Sequence, residues 1–327
     1  MNTGGLALGD LAAKLGAGVG FAQKADIAEA GQRLGLSAAG PIGVGDDCAA
    51  IPDGDGFLLF AIEGFIESFV AADPWFAGWC GMMVNLSDIA AMGGRPLAVT
   101  DAVWSDGAGR GALVLDGLRA ASEAYRVPVV GGHTNFHAPG LRFAASVLGR
   151  AKRLLTSFDA RPGQVLLAAI DLRGQWRDPF PHWDAATSAP PGRLRADLGI
   201  LAEIAEAGLS AVGKDISGAG LVGTAAMLAE TSGVGLAIDI DLIPAPADAD
   251  PLRWLSAFPS FGFLIAAERE AAPSIVSRFT SRGIACAAIG MVEPGSAVRI
   301  SRGNETATVR DLATAPLLGC GRKDRVA

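Results

Sequence analysis

Cysteine is scarce and scattered: Cys48, Cys80, Cys286 and Cys320 form no C-x-x-C pair, and only 3 histidines accompany them in 327 residues. That excludes a zinc ribbon and a disulfide framework, and leaves the four thiols to be read as small buried apolar groups. No run reaches the roughly 18 consecutive apolar residues of a membrane span. The opening MNTGGLALGDLAAKLGAG has no charged region ahead of an apolar one, so a cytoplasmic protein with no membrane partner is expected. Basic excess is missing too. With 27 Lys and Arg against 34 Asp and Glu, a net charge of -7 and a pI near 5.1, nucleic acid is not expected as a partner, whereas a metal ion is admissible. Apolar residues are plentiful, at 50% with a mean hydropathy of +0.35, enough for a large core in two domains.

The most strongly patterned stretch is DPWFAGWCGMMVNLSDIAAMGGRP, from Asp73 to Pro96. Trp75, Phe76, Trp79, Met82, Met83, Leu86, Ile89 and Ala90 recur in steps of three and four, which predicts a helix with one buried face. Asp73 is placed to cap it, Pro74 suits its first turn, and Gly93-Gly94 followed by Pro96 ends it. Asn85 and Asp88 share a face three residues apart, while Gly78 and Gly81 thin the surface nearby for a close approach. A lone helical aspartate ordinarily faces water. Asp88 is therefore solvated unless other carboxylates accompany it.

Taken in order, GAGVGFAQK (residues 16–24) is a glycine segment ending in Lys24 ahead of a short helix from Ala25 to Leu34; it reads as a loose tail or as a phosphate loop. In GVGDDCAAI (43–51), the adjacent Asp46 and Asp47 point in different directions, so one can face a site while the other braces a turn. FLLFAIEGF (57–65) is a buried strand with Glu63 at its end. A strand from Leu97 to Trp104 precedes a helix from Asp106 to Tyr125 with Leu113, Leu118 and Ala121 inward. VPVVGGHTNF and LRFAASVLGRA then form a strand pair. Their glycine-rich turn, Gly131-Gly132-His133-Thr134, offers donors to an anion or simply connects a hairpin.

LLTSFDARPG reads as a linker between an N-terminal domain, 1–158, and a C-terminal domain, 159–327. Beyond the strand QVLLAAIDL, residues 173–192 are polar and Pro-rich, and either cover a substrate or pack through Trp176, His182 and Trp183. A helix from Leu194 to Ala207 leads to KDISGAGLVGTAAMLAETSG (214–233), where Asp215 and Ser217 stand at a turn into a helix stopped by Gly233. Strands at 234–240, 261–267 and 284–292, with a helix near 271–282, complete a second α/β unit.

GVGDDCAAI, the strand ending in Glu63, DPWFAG…NLSDIAAMGGRP, GGHT and KDISGAGL, in that order, resemble the superfamily of aminoimidazole ribonucleotide (AIR) synthetase, selenophosphate synthetase, thiamine monophosphate kinase and the hydrogenase-maturation dehydratase, over about residues 16–300. The resemblance implies a two-domain α/β (α+β) architecture: an N-terminal α/β domain with a dimer-forming sheet, and a C-terminal α/β domain with a helix-covered sheet. It also implies a homodimer, and ATP with Mg2+ in a cleft between the domains. Carried over by position, Lys24 matches a phosphate-contacting lysine, and Asp46 and Asp47 match a first metal-binding pair. Glu63 stands where most relatives have aspartate. Asn85 and Asp88 match the central helix motif, with Asp88 a metal ligand. Gly131, Gly132, His133 and Thr134 match a nucleotide-facing turn, and Asp215 matches the acidic metal ligand of the second domain, beside Ser217 and Gly218 in its nucleotide-binding turn. Lys24, Asp47 and Asp215 are the expected catalytic groups.

Carboxylates gathered in this way would repel by about 3 kcal/mol per pair at ~5 Å and an effective dielectric near 20, so a cation is expected. Mg2+ suits oxygen donors without a Cys or His cluster. Each subfamily signature is altered. Phe21 stands where selenophosphate synthetases carry cysteine or selenocysteine, and Gly218 replaces the second aspartate of the kinase motif D-x-S-D-G-L. FAIEGF lacks the threonine- and glycine-rich strand of the cyclo-ligases, and Cys320 sits in no reactive-tail motif. The resemblance thus implies an outlying AIR synthase-related enzyme that uses ATP and Mg2+ to transfer a phosphoryl group to an oxygen of a small-molecule substrate. A thiamine monophosphate kinase and a catalytically weak nucleotide-binding partner protein stand as alternatives.

Overall fold

The computed structural model of the chain describes residues 6–24, 26–36 and 43–319; Cys320, and Ala25 at the expected helix start, lie outside them. In chain order the elements are α1 (Leu8–Gly16), α2 (Val19–Lys24), α3 (Asp26–Leu34), β1 (Ala49–Asp53), β2 (Gly56–Gly64), α4 (Glu67–Ala72), α5 (Pro74–Ala91), β3 (Arg95–Trp104), α6 (Ala108–Tyr125), β4 (Val129–Asn135) and β5 (Arg142–Ala151). They continue as β6 (Val165–Ile170), β7 (Gln175–Trp176), β8 (His182–Asp184), α7 (Pro191–Glu206), β9 (Val212–Asp215), α8 (Gly220–Ser232), β10 (Gly235–Asp239), α9 (Pro251–Leu255), β11 (Phe258–Pro259), β12 (Gly262–Ala267), α10 (Ala272–Thr280), β13 (Ala285–Glu293), β14 (Ala297–Arg302) and β15 (Glu305–Asp311).

One compact unit comprises Asp47–Leu154 and Ala186–Glu206 and is built on a five-stranded sheet in the order β1-β2-β5-β3-β4. The neighbours are antiparallel except β3 and β4, which run parallel because α6 carries the chain back between them. This corrects the hairpin reading: β4 and β5 flank β3 on opposite sides, and Gly131–Thr134 lie within an exposed edge strand rather than in a turn. Helix α5 begins as the sequence predicts, with the Asp73 carboxylate accepting from the Phe76 N–H at 3.2 Å and Pro74 in the first turn. It is buried on every face, however, from Phe76 to Ala91, instead of along one stripe. Gly78 explains why. A Cβ there would lie 1.9 Å from the Val114 carbonyl oxygen, and one at Gly117 would lie 1.8 Å from that of Trp75, so α5 and α6 meet backbone to backbone. Gly81 makes room for the Phe143 ring in the same way, at 2.3 Å. On α6, Val114, Leu118 and Ala121 are buried and the expected Leu113 is exposed.

The other unit comprises Met1–Asp46, Leu155–Ala185 and Ala207–Ala327, and holds a seven-stranded sheet in the order β15-β14-β10-β13-β6-β12-β9. The expected linear division at 158/159 assigns residues 1–46, 155–158 and 186–206, the last containing α7, to the opposite units from those found. Two contacts account for the exchange: α1 packs on β15, and α7 packs on α5 and α6. Helix α8 is buried along its whole length within the core of this unit and ends at Gly233 with φ +69°, the left-handed cap the sequence predicts. Residues 173–190 include β7 and β8, which pair with β11 in a small sheet, and Trp176, Trp183 and Trp254 pack edge to face there at 5.4–6.0 Å. Cys48 and Cys80 are buried, and burial pushes the Cys286 thiol up to about 12.

Candidate functional site

In the five-stranded unit the strand register assembles a row of polar positions on the helix-covered face of the sheet. Ala145 of β5 is paired with Glu63 of β2 on one side and with Asp101 of β3 on the other, and Asp101 is paired in turn with Gly132 of β4. Paired residues project to the same face, and adjacent strands lie about 4.8 Å apart. The α5 helix meets this row at Asn85, whose Nδ2 donates to the Gly81 carbonyl at 2.8 Å and to the Ala145 carbonyl at 3.1 Å. Three of the residues singled out from the sequence, Glu63, Asn85 and Gly132, are thereby brought to one row. Asp88 lies one turn further along α5 and is 5% exposed. Asp47 lies in the turn ahead of β1.

Two acceptors in the row are left over. The Asn85 Oδ1 atom and the Asp101 Oδ2 atom are buried and have no hydrogen-bond donor. Burial raises the Asp101 carboxyl above its ordinary range. Its Oδ1 comes so close to β4 that a Cβ on Gly132 would lie 2.4 Å away, so glycine is required at that position of GGHT. Asp101 was not among the residues proposed from the sequence. The signal was present: Val99 and Val103 are buried on the same side of β3, and the alternation places a lone aspartate between them.

In the other unit two glycine motifs from distant parts of the chain come together. A Cβ on Gly20 of α2 would lie 2.6 Å from both the Ala219 Cα and the Gly218 carbonyl oxygen, so GAGVGFAQK packs directly on the DISGAG turn and is neither a loose tail nor an open loop. Phe21 is 5% exposed and lies against Gly223 of α8. Phe21 is an apolar peg in this turn. Lys24 ends α2. Asp215 ends β9 and is 3% exposed. The Ser217 N–H donates to Thr224 Oγ1 at 3.1 Å, leaving the buried Ser217 Oγ without a partner. A Cβ on Gly218 meets nothing within 4 Å, so the missing kinase aspartate is not a consequence of crowding. Asp46 accepts the Ser157 N–H at 2.9 Å, tying the GDD segment to the linker.

Among the described residues no group of three or more His, Cys, Asp and Glu side chains could hold a metal ion. Mg2+ is ordinarily held by one or two carboxylates with water and phosphate oxygens, and the unsatisfied oxygens of Asn85 and Asp101 are donors of the right kind. Among the described residues no helix is long and apolar enough to cross a membrane.

Comparison with known proteins agrees with the architecture. Residues 45–151 match the N-terminal domain of AIR synthase related proteins, and residues 189–302 match the C-terminal domain. An uncharacterized protein of Synechocystis sp. is 42% identical over 95% of this chain and 98% of its own length. A thiamine-monophosphate kinase of Pyrococcus horikoshii is 29% identical over 79% of this chain and 86% of its own. Among solved structures, PurL of T. maritima complexed with ATP aligns with a TM-score of 0.68 and 21% identity over 82% of this chain; the chain spans 46% of that larger protein. The chain belongs to the family of AIR synthase related proteins, with both of its domains present.

Proposed function

We propose that this protein is an ATP- and Mg2+-dependent enzyme that transfers a phosphoryl group to an oxygen of a small-molecule substrate. The observation that carries the reading is the row Glu63, Asn85, Asp101, Gly132, in which two buried acceptor oxygens have no donor. A buried acceptor without a partner costs about 1–3 kcal/mol, and a fold keeps it where a ligand or hydrated cation supplies the missing contact. Bound Mg2+ would neutralise charge on the phosphates. In the five-stranded unit Asp47 and Asp88 would hold the metal; in the other unit Lys24 would offer a point charge and Asp215 with Ser217 a polar turn. The kinase among the relatives and the ATP complex of PurL support the use of ATP.

Titration of ATP by calorimetry, with and without Mg2+, tests this reading on the wild type and on Asp47→Asn combined with Asp88→Asn. Metal-dependent binding that vanishes in the double variant is expected; a wild type that binds no nucleotide withdraws the enzyme reading. Thiamine phosphate is the second substrate to try, because the kinase relative covers most of the chain and Gly218 leaves open space where the kinase motif has aspartate. We further propose a homodimer joined through the outer face of the five-stranded sheet. Ile51, Phe60, Ile62 and Leu148 stand exposed there, and Phe60 is paired with Leu148. A solution mass near twice 33.2 kDa is expected, and a monomer removes the dimer.

A further inference from the structure

The segment carrying Lys24 is held from an unexpected quarter, residues 315–319 after β15. The Glu230 carboxylate, on α8 and 9% exposed, accepts three successive backbone N–H groups: Leu317 at 2.6 Å, Leu318 at 2.9 Å and Gly319 at 2.8 Å. Arg310 of β15 grips the same segment by its carbonyls, with Nε donating to Ala315 at 2.6 Å and Nη2 to Pro316 at 2.9 Å. A carboxylate and a guanidinium thus fix five consecutive residues through backbone bonds alone, with both partners charged and each bond correspondingly strong. Leu317 and Leu318 are buried in the core.

Both ends of this grip bear on the helices around Lys24. The Arg310 guanidinium lies 5.7 Å from the centre of the Phe21 ring on α2. Gly319 lies against Ala28 of α3, where a Cβ on the glycine would come within 2.7 Å of the Ala28 Cβ, and its φ of +63° also favours glycine. Helix α2 is short, at 6 residues, and is seated by Gly20 and the buried Phe21, while α3 has no buried residue of its own and leans on the core through the partly buried Ile27, so their own hold is thin. We propose that Glu230 and Arg310 form a clasp on residues 315–319 that seats α2 and α3 and so positions Lys24; the last step rests on the function proposed above. Neither residue touches the nucleotide in this scheme. They are positioning residues.

The test uses the full chain. Hydrogen exchange over Val19–Leu34 and over 317–319 is measured for the wild type, Glu230→Ala and Arg310→Met, the second variant leaving the three Glu230 bonds in place. ATP affinity with Mg2+ is measured for Glu230→Ala with and without Lys24→Ala. Exchange in α2 and α3 is expected to quicken by about tenfold or more in both variants. ATP affinity is expected to fall by about tenfold where Lys24 is present, and by less than about twofold where it is not. Release of 317–319 with α2 and α3 unchanged would overturn the clasp, and an affinity loss of equal size with and without Lys24 would overturn its action on that residue. A wild type that binds no ATP sinks the proposed function, while the exchange data still decide whether the clasp seats the two helices.

Discussion

Asp171 and Asp101 are both carboxylates set within or at the end of a sheet strand, and the two units treat them in opposite ways. Asp171 is 3% exposed, and Arg173 meets it three times, through its own N–H at 3.0 Å, Nε at 2.7 Å and Nη2 at 3.0 Å. Asp184 nearby has Arg177 at 3.3 Å. Asp101, in the five-stranded unit, has a buried oxygen with no donor, and Asn85 beside the same row has another. The difference separates two uses of buried polarity. A carboxylate with a bidentate guanidinium is completed by the protein and serves the fold. In the function proposed above, one left incomplete, against a glycine that makes room for it, is completed from outside.

The sharpest way to break the comparison is to remove the completed carboxylate. Asp171→Ala leaves Arg173 facing its former partner's site and is expected to lower stability by about 3 kcal/mol in urea unfolding. An effect no larger than a surface substitution would show that the pair carries little.

The same region should also show its cost in pH. His182 packs between Phe180 at 5.8 Å and Phe258 at 5.7 Å, and burial, with Arg177 adding to it, lowers its pKa from 6.5 to about 4. The native state refuses a proton that the unfolded chain accepts. Stability is therefore full above pH 6.5, declines as pH falls toward about 4, and levels below that. The shift corresponds to up to about 3 kcal/mol. A urea midpoint series from pH 8 to pH 4 on the wild type and His182→Gln checks it; equal slopes in both proteins would contradict the assignment.

Much of this was legible in the sequence, and the failures have physical causes. Asp73, Pro74 and Gly93 mark α5 because caps and stops are local chemistry, and Gly233 marks the end of α8 for the same reason. The burial of α5 on every side was not legible, since Gly78 and Gly81 are small residues whose neighbours, Val114 and Phe143, come from elsewhere in the chain. GGHT has the composition of a turn, yet it forms a parallel edge strand. The helix already visible between strands at 97–104 and 127–136 required that crossover. The Gly-rich N-terminal segment carries no local sign of its packing, because the sheet edge that α1 packs on is built by β14 and β15, far along the chain. Asp101 belongs to no motif, and strand parity alone marks it, between the buried Val99 and Val103.

The most direct test of the central claim is Asp101→Asn, followed by urea unfolding at pH 7 and by calorimetric titration of ATP with Mg2+. Burial raises the Asp101 carboxyl above its ordinary range, so the stability it contributes is present at low pH and is lost as pH rises through the native-state pKa. The variant is expected to be more stable by about 1 kcal/mol, and to bind ATP with Mg2+ at least about tenfold more weakly. A variant that is less stable and binds ATP as the wild type does would show that Asp101 belongs to the fold and not to a site.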